Sequence, residues 1–412
     1  MSDLSHRSSG DVVIVGGGLV GLSLGVALAQ AGLATTVVDR DRPADAVADA
    51  YDGRSSALAW GSTRVLDGLG LWDAIAPHAA PIDDIRVSDG ESRLFLHYDH
   101  RDVGDNPLGY IVENLHTRRA LNARVAALPR LTWLAPAVVS GIAIDPGAAR
   151  VTLADGRVLT SRLVVGCDGK RSFVRRAAGI AAFEHRYGQT GIVGTVRHER
   201  PHGNIAHERF LPAGPFAMLP LPDRDGVHRS SIVWTERDAI VPRLMALDDA
   251  GFNAEMQRRF GPTLGALAIM GRRWAYPLEL VQSARYAAPR LALAGDAAHG
   301  VHPIAGQGLN LGLRDVAALA ECLVDAARTG LDVGALDVLE RYEGWRRVDA
   351  VTLMAVTDSL NRLFSNDIAP VRLARDIGLA VVDRIAPLKR LFMRHAMGMV
   401  GDLPRLTRGE KL

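Results

Sequence analysis

A chain of 412 residues, 48% of them hydrophobic, is long enough to bury a sizeable core and predicts two structural domains, interleaved or in series. Its 48 basic and 46 acidic side chains leave a net charge of +2, which gives no electrostatic argument for a nucleic-acid partner. Cys167 and Cys322 stand far apart in no metal-ligand pattern, so neither a disulfide framework nor a thiolate metal site is expected. The polar start MSDLSHRSSGD contains no apolar stretch of the kind a signal peptide needs, and no uncharged apolar run reaches the roughly 18 residues of a membrane span. The expected location is the cytoplasm, at most with peripheral contact to the inner membrane.

Residues 11–15 read as a buried strand, followed by Gly16-Gly17-Gly18-Leu19-Val20-Gly21 and an apolar helix that Gly32 closes. Residues 34–38 return as a second strand, ending at Asp39 with Arg40 next. Gly16 permits the tight turn, Gly18 lets a pyrophosphate approach the backbone, and Gly21 lets helix and strand pack closely. Asp39 stands where a carboxylate can accept hydrogen bonds from two ribose hydroxyls. Strand, glycine turn, helix, strand and acid together predict dinucleotide binding over Gly16, Gly18, Leu19, Val20, Gly21, Asp39 and Arg40.

Arg54, in Asp52-Gly53-Arg54-Ser55-Ser56, is either a phosphate partner or an exposed loop cation. A helix is expected over 62–69, then two strands over 82–97 with a turn at Asp89-Gly90. A strand over 109–114 leads into a helix over 117–128, where Arg119 is a surface charge or a ligand contact. Strands follow at 132–139, 142–145, 150–153 and 158–159, then an apolar strand at 163–167 that ends in Asp168-Gly169 and feeds a helix with Ser172 in its first turn. Cys167, at the end of that strand, reads as a buried small residue. Between 187 and 236 the alternation of apolar and polar residues predicts an antiparallel sheet, one face of which can roof a pocket. His202, His207 and, beyond it, Tyr276 either reach a substrate from that roof or are structural. A helix over 249–260 and a strand over 272–280 complete this part.

The organising stretch is LALAGDAAHGVHPIAGQGLNLG, residues 291–312. A short strand leads to Gly295-Asp296, the only acid between Glu279 and Asp315, and Gly306 and Gly308 open a helix after Pro303. Glycines before a helix let backbone N–H groups approach a ligand, and the helix terminus favours negative charge. His299 and His302 have ligand-like spacing without a third or fourth ligand nearby, so they are read as ordering the loop or lining a pocket, and no metal is expected. Helices are predicted at 314–329, 335–361, 368–384 and 388–399. The last region sets Arg372, Arg375, Arg384, Lys389, Arg390 and Arg394 among apolar residues, a pattern that packs on its own domain or meets a membrane surface or partner.

The glycine turn with Asp39, Asp168-Gly169, and Gly295-Asp296 resemble, in order and spacing, the three fingerprints of the class A FAD-dependent aromatic hydroxylases of the para-hydroxybenzoate hydroxylase fold. Within that class, GDAAHGVHPIAGQGLNLGLRD, DGRSSAL, YIVEN, the run from Glu208 to Leu221 and Leu363-Phe364-Ser365 are similar to the ubiquinone-biosynthesis hydroxylases. The resemblance implies an α/β fold: a Rossmann-like FAD-binding domain (1–81, 115–182, 284–330) interleaved with an antiparallel-sheet substrate domain (82–114, 183–283), plus a C-terminal helical region (331–412). It implies FAD as cofactor, held also by Arg54, Arg119, Val139, Asp168, Asp296, Gly308, Leu309 and Asn310, with Pro303, Gly306 and Gln307 in the loop facing the flavin.

The activity so implied is ring hydroxylation of a polyprenylated phenol by O2 through a flavin C4a-hydroperoxide, which accounts for the lack of an evident nucleophile–base pair. No second nucleotide fingerprint appears, so electrons come from NAD(P)H docking transiently or from a separate reductase. The basic C-terminal region would then meet a membrane surface or other ubiquinone-biosynthesis proteins. Two other readings stand beside this one: a related flavoenzyme such as a prenyl-chain reductase, or a non-catalytic FAD-binding subunit of a biosynthetic assembly. A flavin halogenase would need a WxWxIP motif, and no two of the six tryptophans are two residues apart.

Overall fold

The uninterrupted run Val12-Val13-Ile14-Val15 is buried on both faces, as a strand in the middle of a parallel sheet must be. This computed structural model describes residues 8–48, 53–90, 95–301, 306–364 and 385–412. Expectations placed on Asp52, His302, Pro303, Ser365 and the helix at 368–384 with Arg372, Arg375 and Arg384 lie outside the described residues.

The parallel strands stand in the order Leu291–Leu293, Val158–Gly166, Ser8–Val15, Thr35–Val38, Leu131–Leu134. Ala149–Leu153 and Val139–Ile144 extend this sheet as antiparallel strands beside Val158–Gly166. The helix Leu19–Gln30 covers one face, and the helix Gln307–Arg328 packs against it. Two glycines make that contact close. A Cβ on Gly312 would lie 2.6 Å from the Val20 side chain, and one on Gly295 would lie 3.1 Å from it.

The second sheet runs His299–Gly300, Leu267–Ser283, Ala182–His198, Val227–Arg237, Gly214–Arg224, Ile205–Leu211, Asp84–Asp89, Phe95–Asp99. Every pairing in it is antiparallel except that of Ile205–Leu211 with Asp84–Asp89. Period-two alternation splits its residues between two faces. Ile192, Phe216, Met218, Ile232 and Trp234 pack under the helix Asp249–Phe260. Their neighbours Gly191, Val193, Ala217, Leu219, Val233 and Thr235 face the other way, onto a cavity. Asp248 caps the covering helix through Gly251 N–H at 2.8 Å, and Gly261 ends it at φ +79°.

Two differences from the sequence reading have physical causes. Ser55–Ala59 is a strand, in a three-stranded sheet with Gly109–Glu113 and Ala79–Ile82, although its local pattern carries no strand signal. Val158–Gly166 is one continuous strand across the polar pair Ser161-Arg162, because the Ser161 hydroxyl donates to the Leu163 carbonyl at 2.9 Å and stays satisfied in the interior. The helix expected to open at Gly306 and Gly308 begins at Gln307, with Gly306 in the left-handed region turning the chain into it.

The helix Leu336–Phe364 crosses from the parallel sheet toward the second sheet, with Tyr342 Oη donating to Leu293 O at 2.8 Å and Tyr187 Oη to Asp358 at 3.1 Å. The helix Ala386–Ala396 has Pro387 in its first turn and anchors through Met393, which clusters with Ile82, Leu108, Ile111, Ala206 and Leu221. No described helix is long and apolar enough to cross a membrane.

Candidate functional site

A cavity of about 1200 Å³ lies between the carboxyl ends of the parallel strands, the inner face of the second sheet and the two C-terminal helices. Open parallel sheets place ligands at that edge. The volume exceeds the roughly 300–1,000 Å³ of a single small-molecule pocket, so it suits a cofactor and a substrate together.

At one end the three motif glycines behave differently. A Cβ on Gly16, at φ +107°, would come within 2.4 Å of the Cys167 carbonyl oxygen, and one on Gly21 within 1.9 Å of the Gly16 carbonyl oxygen. A Cβ on Gly18 would meet nothing within 4 Å, so the backbone is bare toward the cavity there. Leu19, Val20, Arg40 and Val139 line the same end. Asp39 accepts hydrogen bonds from the N–H groups of Gly17 and, at 2.7 Å, of Asp41. Burial raises its pKa, and these bonds oppose the rise. Beside it, Trp133 presents a buried indole Nε1 with no hydrogen-bond partner.

Farther along, one oxygen of Asp168 accepts from the N–H groups of Phe173 (2.6 Å) and Val174 (3.1 Å), starting the helix Phe173–Ala177. The other oxygen is buried and unpartnered in the cavity wall. Asp296 presents an exposed carboxylate to the cavity and makes no hydrogen bond or ion pair to another described residue. The Gly295 turn beneath it, at φ +61°, is held by its N–H donating to Asp315 at 2.9 Å. Asp315 is fully buried and also meets His299 Nε2 at 2.6 Å and Arg346 Nε at 2.9 Å. Burial pushes its pKa up, but these two groups more than offset that and hold it below the ordinary carboxylate value. His299 therefore orders the turn and does not line the cavity.

The helix Gln307–Arg328 opens toward the cavity. Gly306 precedes it at φ +62°, no side chain caps it, and its first turn holds no acid. Gly306, Gln307, Gly308 and Leu309 line the wall, and a Cβ on Gly308 would again meet nothing within 4 Å. A helix terminus without a side-chain cap carries a partial positive charge. Asn310 does something else. Its side chain accepts from Ala59 N–H at 2.8 Å and donates to Ala57 O at 2.8 Å, which pins Ser55–Ala59 to the helix, and it is absent from the cavity wall.

That pinned strand delivers Arg54, whose guanidinium stands 5.0 Å from the centroid of the Tyr276 ring, both on the wall. Arg119 is exposed and off the wall, whereas its neighbour Arg118 lines it. His202 is off the wall too, accepting from Asn204 N–H at 3.0 Å and meeting Leu221 O at 2.9 Å. Tyr98, Phe210 and Leu219 line the apolar part, whereas the ring of His207 packs edge-on to Phe260 at 5.5 Å on the helix-covered face of the sheet, where burial, reinforced by the charges of Arg86 and Arg209, pushes its pKa down to about 4. Leu353, Val356, Phe392 and Met393 of the C-terminal helices complete the wall. Nothing local in the sequence distinguishes these from core or surface positions.

Parallel sheet, roofing antiparallel sheet and shared cavity define a flavoprotein of the aromatic-hydroxylase fold. The same architecture occurs in p-nitrophenol 4-monooxygenase PnpA of Pseudomonas putida, with a TM-score of 0.78 over 94% of this chain and 98% of that one at 21% identity. The chain belongs to the FAD-binding domain family, whose profile matches residues 9–355. It is 53% identical to ubiquinone hydroxylase UbiL of Rhodospirillum rubrum over 405 residues, 98% of this chain and 93% of that protein. It is 36% identical to 3-demethoxyubiquinol 3-hydroxylase of Escherichia coli over 391 residues, 94% of this chain and 98% of that protein. The resemblance drawn from the motifs therefore holds for fold and family.

Proposed function

We propose that this protein is an FAD-dependent monooxygenase that hydroxylates the aromatic ring of a polyprenylated phenol in ubiquinone biosynthesis. The observation that carries the reading is one cavity with two chemistries: a bare glycine cradle at the strand ends and an apolar sheet face opposite an uncapped helix terminus. The kinship with ubiquinone hydroxylases supports the substrate class.

The residues fit FAD, because two buried polar atoms, Trp133 Nε1 and one oxygen of Asp168, lack partners on the wall beside open glycine backbone. In this reading Gly16 to Gly21 and the first helix hold the pyrophosphate, and Asp39 accepts the ribose hydroxyls. Asp296, with the N–H groups of Gly308 and Leu309, holds the ribityl end and the ring, and Arg54 adds a cation. FAD, when reduced, activates O2 for oxygen transfer to an electron-rich ring. The helix terminus at Gly306 and Gln307 stabilises negative charge on the bound ring system. The apolar wall of Val193, Ala217, Leu219 and Val233 excludes water. We assign 1–81, 115–182 and 284–330 to the FAD-binding domain, 82–114 and 183–283 to the substrate domain, and 331–412 to a helical region that contacts a membrane surface peripherally.

The test is anaerobic mixing of the holoprotein with NADPH or NADH, with and without a polyprenylated phenol, followed by O2. The expected result is substrate-stimulated oxidation of the nicotinamide and a product heavier by one oxygen atom. If neither nicotinamide nor an added reductase supports product formation while FAD stays bound, the monooxygenase reading fails.

A further inference from the structure

We infer that the substrate's tail leaves the cavity between the helices Leu336–Phe364 and Ala386–Ala396, through an apolar portal formed by Leu353, Val356, Phe392 and Met393. The inference rests on the proposed substrate class and adds where its tail lies.

The cavity has two ends with opposite chemistry. At the dinucleotide end, Arg40, Asp41 and Arg42 stand on the wall and are exposed. At the other end the wall passes into the two C-terminal helices, and there Val356 and Phe392 both line the cavity and remain 47% and 42% exposed. A side chain that faces cavity and solvent at once marks an opening. Met393, one residue on, is buried and clusters with Ile82, Leu108 and Leu221, so the inner side of the opening joins the apolar interior.

The stretch of chain that carries the two bordering helices also exposes apolar side chains. Of the thirteen large hydrophobics exposed among the described residues, eight lie between 348 and 400, including Leu391 at 50%, next to Phe392 in the chain. Isolated exposed apolar residues need no explanation, but a pair that also lines a cavity does. The helix Ala386–Ala396 contains no acidic side chain, only Lys389, Arg390, Arg394 and His395 among its polar residues. A hydrocarbon chain is the occupant such a passage accommodates, because it gains free energy from every methylene withdrawn from water and needs no hydrogen-bond partner. The ring, with its hydroxyls, then faces inward toward the helix terminus at Gly306.

The decisive experiment uses the FAD-loaded protein and a fluorescently labelled farnesol as a tail-only probe. Probe displacement by triprenylated phenol and unlabelled farnesol, with tailless phenol ineffective, is the expected result. Val356→Glu and Phe392→Glu, which place a charge in the passage, should weaken the probe at least about tenfold, while Phe392→Leu stays within about threefold. In turnover, the Glu variants should raise KM for the triprenylated phenol at least about tenfold more than for the tailless one. Unchanged probe affinity in both Glu variants, displacement by tailless phenol, or equal losses on long and short substrates would each overturn the portal. Should no phenol be hydroxylated at all, the proposed function falls by itself, and the probe titrations still decide the portal.

Discussion

Gly18→Ala separates the fold from its function more cleanly than any other single change. The position has φ −71° and ψ −176°, which any residue adopts, and the added methyl meets nothing within 4 Å. Stability of the apoprotein should therefore change by no more than about 0.5 kcal/mol, as at an unencumbered surface site. The methyl instead fills the space through which a pyrophosphate reaches the backbone N–H groups of the first helix. Losing one hydrogen bond to a charged group costs about 1.5–3 kcal/mol, which is roughly a 10- to 150-fold rise in the Kd for FAD. Quenching of flavin fluorescence on titration gives the Kd, and thermal melts with and without FAD give the stability and the ligand's contribution to it. Gly21→Ala is the contrasting control: its methyl would lie 1.9 Å from the Gly16 carbonyl oxygen, so the apoprotein itself should be destabilised. Wild-type FAD affinity in Gly18→Ala would refute the cradle.

The remaining predictions probe the support of the site. Asp315→Asn removes the charge shared by His299 and Arg346, all three nearly or fully buried, and should cost about 3–5 kcal/mol in urea unfolding, as breaking a buried ion pair does. Asn310→Leu strands the Ala59 N–H and the Ala57 carbonyl, each worth about 1–3 kcal/mol when unsatisfied, and should speed amide hydrogen exchange at Ala59 above the rest of the core. His207 gives a pH signature: with a folded pKa of about 4 against 6.5, the unfolded chain binds a proton that the native one refuses. Its contribution is fully favourable above pH 6.5 and is lost as pH falls toward 4, amounting to about 2 kcal/mol by pH 5. His207→Gln should flatten the fall in Tm between pH 7 and 5, and an unchanged slope would show that the burial of this imidazole does not govern the titration.

How far the sequence reached depended on the range of the interactions involved. The strand at Val12, the glycine turn, the first helix and Asp39 were legible because one contiguous stretch of chain sets all their geometry: a turn that needs φ +107° takes Gly16, and a contact of helix on backbone takes Gly21. The alternation between 187 and 236 likewise announced a sheet with two unlike faces, since strand residues alternate faces whatever the partner. The strand Ser55–Ala59 was invisible because what makes and holds it is distant in sequence: it pairs with Gly109–Glu113, and Asn310, which pins it, lies 251 residues from Ala59. Arg118 lines the wall where Arg119 was expected because adjacent helix residues point about 100° apart, and only the packing of the helix decides which one faces the cavity. Asp315, His299 and Arg346 join into one buried charge cluster from separate elements, and Val356 and Phe392 come onto one cavity wall only because two helices distant in sequence border it. Local backbone chemistry thus made the glycine turn proposed as the cofactor cradle legible from sequence alone, whereas the charges that brace the site and the apolar passage proposed beside it are properties of residues distant along the chain, which only tertiary packing brings together.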